Sequence, residues 1–268
     1  MNSDTSIINH DLGDAKQVTI HVIADVHLGA EETDVLAFEQ LVNRIAETPD
    51  HYCILAGDLI DNGLKSSVTN VYRATMRPAE QKKEMARMLL PIRGKILCIM
   101  PGNHEHRSSK EADDCPAYDI ASKMDIEDLY RENIAILRVR VGQDKDWRKD
   151  THGTIRRNSY YIGVVHGAGG GMYLGGTVNK NDAFMNAIDG LDVLVTAHVH
   201  KPYVSRGSKV WIDHNNGVVT QRPYLVIGAG SWLRFGGYAA RKLMRPVALP
   251  GTDSFVLYGD RSWFEGVV

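Results

Sequence analysis

Tyr52-Cys53-Ile54-Leu55-Ala56-Gly57-Asp58-Leu59-Ile60-Asp61-Asn62 is the stretch that decides the fold. An apolar run of strand type ends in glycine and then in two carboxylates three residues apart, which sets acids at the mouth of a buried sheet. Taken alone, Gly57-Asp58 reads as ordinary turn chemistry. Repetition overturns that reading. Val22-Ile23-Ala24 runs into Asp25-Val26-His27-Leu28-Gly29, and Ile96 to Pro101 runs into Gly102-Asn103-His104-Glu105. Tyr161 to Val165 runs into His166-Gly167, and Leu191 to Val195 into Thr196-Ala197-His198-Val199-His200. Five strands therefore deliver metal-ligand residue types at their carboxyl ends, the edge at which open α/β sheets bind ligands.

Mixed Asp, Asn and His suit borderline metals such as Mn, Fe, Ni or Zn better than Ca or Mg, which prefer all-oxygen shells. His27, His166 or Asn103 alone reads as an ordinary half-buried or turn residue. His198 and His200 occupy alternate positions, so both imidazoles face one side and need a polar destination.

Asp25-x-His27, Gly57-Asp58, Gly102-Asn103-His104-Glu105, His166 and His198-x-His200 follow one another in the order of the calcineurin-like metallophosphoesterase superfamily, which this chain resembles over residues 25 to 200. The resemblance implies a four-layer α-β-β-α sandwich with two divalent transition-metal ions at one edge, manganese foremost. It assigns Asp25, His27 and His200 to one ion and Asn103, His166 and His198 to the other, with Asp58 bridging them. Such a pair can hold a hydroxide nucleophile and neutralise phosphoryl oxygens. His104 is then the group that contacts the phosphate and protonates the leaving oxygen.

Asp61 stands in a Gly-Asp-x-x-Asp spacing like that of the Ser/Thr phosphoprotein phosphatases, where the second acid orients that histidine. A helix N-cap is the other reading of Asp61. That branch carries arginine where this chain has Asn62, which removes a phosphate-gripping cation. Asp25-x-His27-Leu28-Gly29 is instead similar to the SbcD-type nuclease branch, and Ala197 replaces the glycine usual before the last His-x-His. The expected function is a phosphodiesterase acting on nucleotides, DNA or RNA. Alternatives are a phosphomonoesterase and a metal-poor scaffold.

A length of 268 residues with 43% hydrophobic residues supports one sizeable core. We expect a flexible tail over residues 1–16 and a single domain over 17–268. The 31 Lys plus Arg nearly balance 33 Asp plus Glu, so net charge does not advertise a nucleic-acid binder. Three cysteines cannot pair fully, no apolar leader opens the chain, and no run of about 18 apolar residues occurs. These point to a soluble cytoplasmic protein without membrane contact.

Phe38, Leu41, Val42 and Ile45 mark the inner face of a helix, and Pro78 to Leu90 a second one. Residues 106–133 read as a charged connection, either a specificity element or a solvated link, with a short helix over Ile120 to Tyr130. The glycines after His166 lack a P-loop's lysine and spacing, and read as a loop or lid. Ala183 to Ile188 reads as a short helix. Val210 to Thr220 reads as a hairpin around Asn216-Gly217. Arg234, Arg241, Lys242 and Arg245, interleaved with Trp232, Phe235 and Tyr238, match a single-strand nucleic-acid surface; the competing reading puts Trp232 and Phe235 in the core.

Overall fold

Ligand-bearing strands of both halves of the chain end at the same edge of a double sheet. The protein is seen here as a computed structural model that describes residues 5–65, 67, 71–142, 157–169, 173–237, 240 and 253–267. In chain order the first half holds β1 (Ile7–Asp11), β2 (Gln17–Ile23), α1 (Val35–Glu47), β3 (His51–Ala56), α2 (Pro78–Leu89), β4 (Ile96–Met100), α3 (Asn103–Ala112) and α4 (Pro116–Lys123). There follow β5 (Ala135–Val141), β6 (Asn158–Val164), α5 (Leu174–Ala187), β7 (Val193–Thr196), β8 (Tyr203–Asp213), β9 (Val218–Gly228), β10 (Ser254–Tyr258) and β11 (Phe264–Val267).

One sheet has the order β11-β10-β2-β3-β4 and the other β1-β5-β6-β7-β9-β8. Strands β2, β3 and β4 are parallel, as are β6, β7 and β9. Side chains alternate across each strand. On the inner faces Val18, Ile20, Val22, Ile54 and Ala56 meet Leu137, Val139, Ile162, Val164 and Val195 between the sheets. Ile23, Cys53 and Leu55 face outward under α1, α2 and α4. On the far side Met185 of α5 covers Leu194 and Val226. The layers are therefore helix, sheet, sheet, helix, as the resemblance implies.

Helix α1 starts where Asp34 accepts a hydrogen bond from Ala37 N, and buries Phe38, Leu41, Val42 and Ile45, the expected face. Each such side chain contributes about 1.5–3 kcal/mol when fully buried. Pro78 sits in the first turn of α2, where its missing N–H costs nothing. The β8–β9 hairpin turns over residues 214–217 as expected but is longer on both arms.

Several expectations need correction. Residues 7–11, expected within a flexible tail, form β1, paired parallel to β5. Ile8 is buried, and Asp11 is held by Arg140 and Arg157. Residues 1–4 lie outside the described residues. The charged stretch after Asn103 is helical rather than a loop, because Gly102 caps α3 and Glu105 folds back onto the Gly102 N–H. Residues 116–123 form α4, earlier than the short helix expected, and α5 begins nine residues before Ala183. Trp232 packs edge-on against Phe38 in the core, and Arg234 is paired with Asp34. Tyr238, Arg241, Lys242 and Arg245 lie outside the described residues. Cys53, Cys98 and Cys115 are free thiols. No helix among the described residues is long and apolar enough to cross a membrane.

Candidate metal centre

Five of the residues singled out at strand ends have left-handed backbone: Asp25 (φ 50°), His27 (52°), Asp58 (50°), His198 (72°) and His200 (54°). Non-glycine residues seldom adopt this conformation, and clusters of it mark sites where surrounding structure holds the chain against strain. Here the turn after each strand folds its side chains back over the sheet edge. Gly57 and Gly102 make the close approach possible, since a Cβ on Gly102 would lie 2.1 Å from Asp58 Oδ1.

The side chains converge in three overlapping groups able to hold metal: Asp25, His27 and His200; His27, Asp58 and His104; Asp58, His166 and His198. His27 Nε2 and His200 Nε2 are 3.2 Å apart, and Asp25 Oδ1 lies 3.3 Å from His200 Nε2. Asn103 Oδ1 lies 3.1 Å from His166 Nε2 and 2.5 Å from His198 Nδ1. Asp58 Oδ2 stands between the two sets, 4.0 Å from His27 Nε2 and 3.3 Å from His166 Nε2. All seven expected ligands are thus brought together, and each set draws on both sheets.

The donor chemistry fits metal ions. Asp25 Oδ1 is buried and accepts no hydrogen bond, an arrangement too costly to leave uncompensated. His166 Nδ1–H donates to the Ala56 carbonyl at 2.8 Å, which turns the Nε2 lone pair inward in the manner of an oriented ligand. Burial disfavours the imidazolium of His166, but Asp58 outweighs it and raises the pKa to about 10. An incoming cation must therefore displace a proton there. Desolvation dominates at His27 and His198, whose pKa values are lowered, leaving neutral rings. At Asp58 burial opposes ionisation, but His166 and His104 hold the carboxyl well below its usual range.

His104 lies at the rim of this cluster. Its Nδ1–H donates to the Asp61 carbonyl oxygen at 2.7 Å, while the Asp61 carboxylate is 3.4 Å away, so backbone and side chain of Asp61 both orient the ring. Nε2 consequently faces inward, 3.9 Å from Asp58 Oδ2. Burial would lower the pKa of His104; Asp58 and Asp61 reverse this and raise it. Asp61 is no N-cap of α3, which Gly102 caps. Asn62 is buried with its Nδ2 donating to the His104 carbonyl and to Ser108 Oγ. It ties the strand-end loop to α3 and points no cation at the centre.

Glu105 has a role that its residue type did not announce. Fully buried, it accepts hydrogen bonds from Asp58 N (2.9 Å), Ile60 N (3.1 Å) and Gly102 N (2.8 Å), and so clamps the strained Asp58 turn. The signal in sequence was only its place in the Gly102-Asn103-His104-Glu105 motif. Ser231 and Trp232 support Asp25 similarly, by donating to its carbonyl oxygen. Glu105→Gln presents an amide N–H to one of three N–H groups that need an acceptor. Metal affinity should fall by about 10–100-fold, as for other outer partners of ligands. Isothermal titration with Mn(II) measures this, and affinity equal to that of the unaltered protein would rule the clamp out. Between α5 and the loops that follow β6 and β7, a cavity of about 200 Å³ opens, lined by Ala168, Gly169, Tyr173, Thr177, Lys180 and Val199.

Two packed sheets flanked by helices, with carboxylates and imidazoles converging at one edge, define a metal-binding α/β sandwich. The chain belongs to the calcineurin-like phosphoesterase family, whose model matches residues 18–202. Among solved structures, it is similar to a conserved uncharacterized protein from Streptococcus pneumoniae TIGR4 described as a predicted phosphoesterase, at 14% identity and a TM-score of 0.37, covering 94% of this chain and 88% of that one. It is also similar to Chaetomium thermophilum Vps29, at 11% identity and a TM-score of 0.41, covering 93% of this chain and 96% of that one. No curated protein matches the chain in sequence.

Proposed function

We propose that the protein is a dinuclear metal-dependent hydrolase of phosphodiesters, acting on nucleotides or nucleic acid. The observation that carries this reading is the position of Asp58 Oδ2 between two sets of donors, with His104 Nε2 facing the same point. Asp25, His27 and His200 would hold one ion, Asn103, His166 and His198 the other, and Asp58 would serve both. When bound, two divalent ions supply Lewis acidity to the phosphoryl group and an acidified water. The residues do the rest. His104, oriented by Asp61, gives its Nε2 proton to the leaving oxygen as the bond from phosphorus to that oxygen breaks.

One observation favours a diester over a monoester. The inward turn of Asn62 leaves a dianionic phosphate without the cation that a phosphatase of the resembling branch would offer. A scaffold that only binds protein has no physical need to keep so many desolvated polar groups together.

Bis-p-nitrophenyl phosphate, p-nitrophenyl phosphate, cyclic nucleotides and single- and double-stranded oligonucleotides, assayed with Mn(II), form the test. We expect bis-p-nitrophenyl phosphate to be hydrolysed faster than the monoester, and at least one nucleotide diester to be cleaved. A preference for the monoester would replace this reading with that of a phosphomonoesterase.

A further inference from the structure

Arg107 lies one turn beyond His104 on α3, so the two side chains share a face of the helix. Its Nη1 is 3.5 Å from the Asp61 carbonyl oxygen and 3.5 Å from Ser67 Oγ. Both contacts are longer than a good N–H···O bond of about 2.7–3.2 Å. Arg73, Arg87, Arg140, Arg157 and Arg234 each pair with a carboxylate. For Arg107, which is half-buried, no carboxylate partner is found among the described residues.

Contacts run outward from Asp58 to His104 Nε2, across the ring to Nδ1, on to the Asp61 carbonyl, and from there to Arg107. The guanidinium is therefore separated from the metal cluster by the width of an imidazole and a carbonyl. It lies on the Nδ1 side of His104, away from Asp58. We propose that Arg107 binds a second phosphate, carried by the leaving portion of the substrate, so that the preferred substrates are nucleotides or oligonucleotides with more than one phosphate. This rests on the diesterase reading. The planar fork of guanidinium matches two phosphate oxygens, which the long contacts to Asp61 and Ser67 leave it free to engage.

The test compares thymidine 3′,5′-bisphosphate with thymidine 5′-monophosphate by equilibrium binding to the Mn-loaded protein. The unaltered protein should favour the bisphosphate by about 10-fold or more, the range for a hydrogen bond to a charged group. In Arg107→Ala that ratio should collapse toward one, and Arg107→Lys should keep part of it. The same collapse should appear in KM, and not in kcat, when thymidylyl-thymidine is compared with the dinucleotide phosphorylated at both ends. An unaltered ratio in Arg107→Ala, or equal weakening of both ligands, overturns the proposal. If neither dinucleotide is cleaved, the diesterase reading falls, and the binding ratio still decides for or against Arg107 as an anion site.

Discussion

Asp58→Asn should abolish two-metal binding and, with it, hydrolysis. The carboxylate oxygen Oδ2 lies within 4.0 Å of nitrogens from both donor sets, while Oδ1 is committed to the His104 N–H at 2.8 Å. An amide keeps the shape but withdraws the negative charge at the one point common to both ions. Metal ions contribute several kcal/mol to charge stabilisation in phosphoryl transfer, so the loss of rate should be on the order of 10³-fold or more. Elemental analysis should find two ions per chain before the substitution and fewer than two after it. One ion or none in the unaltered protein, together with an active Asp58→Asn, would sink the two-metal mechanism.

His104→Ala separates binding from chemistry. It should retain both ions and lose about 10²–10⁴-fold in turnover on substrates with alkyl leaving groups, the usual contribution of a general acid. The loss should shrink for p-nitrophenyl esters, whose leaving group needs no proton. His104 also lies close enough to His27 and Asp58 to join them around an ion. If the variant lost metal as well, His104 would be a ligand and not the acid. Asp61→Asn keeps the carbonyl that accepts from Nδ1 and should therefore show a smaller defect than His104→Ala.

The convergence of the candidate ligands was legible because each of them lies shortly after an apolar strand, and parallel strands bring their ends together whatever their separation in sequence. The inner face of α1 was legible for the same reason: a period of 3.6 depends on local spacing alone. Long-range contacts were harder to see. Ile8 to Asp11 carries too little apolar character to read as a strand, and is held by pairing to a partner about 130 residues away. The charge of the segment after Asn103 masked α3, because Glu105 is satisfied by the Asp58 N–H and Ser108 by Asn62, partners that arrive only once the Asp58 turn is in place. Trp232 sat among cations and aromatics in sequence, yet Phe38 and the Asp25 carbonyl claim it. The left-handed backbone at Asp25, His27, Asp58, His198 and His200 left no mark at all, since none of these is a glycine.

Each donor set takes residues from both sheets, and His198 N–H reaches across to Asp25 Oδ2. Asp25, Asp58 and Asn103 belong to the earlier half of the chain, His166, His198 and His200 to the later. Neither half has a complete shell, so the centre is a seam between two pieces of polypeptide that are synthesised one after the other. During refolding, strands and helices of each half can form before any shell exists. If the chain hydrolyses phosphodiesters as proposed, recovered catalysis should therefore lag behind recovered secondary structure and time the moment at which the two sheets close in register.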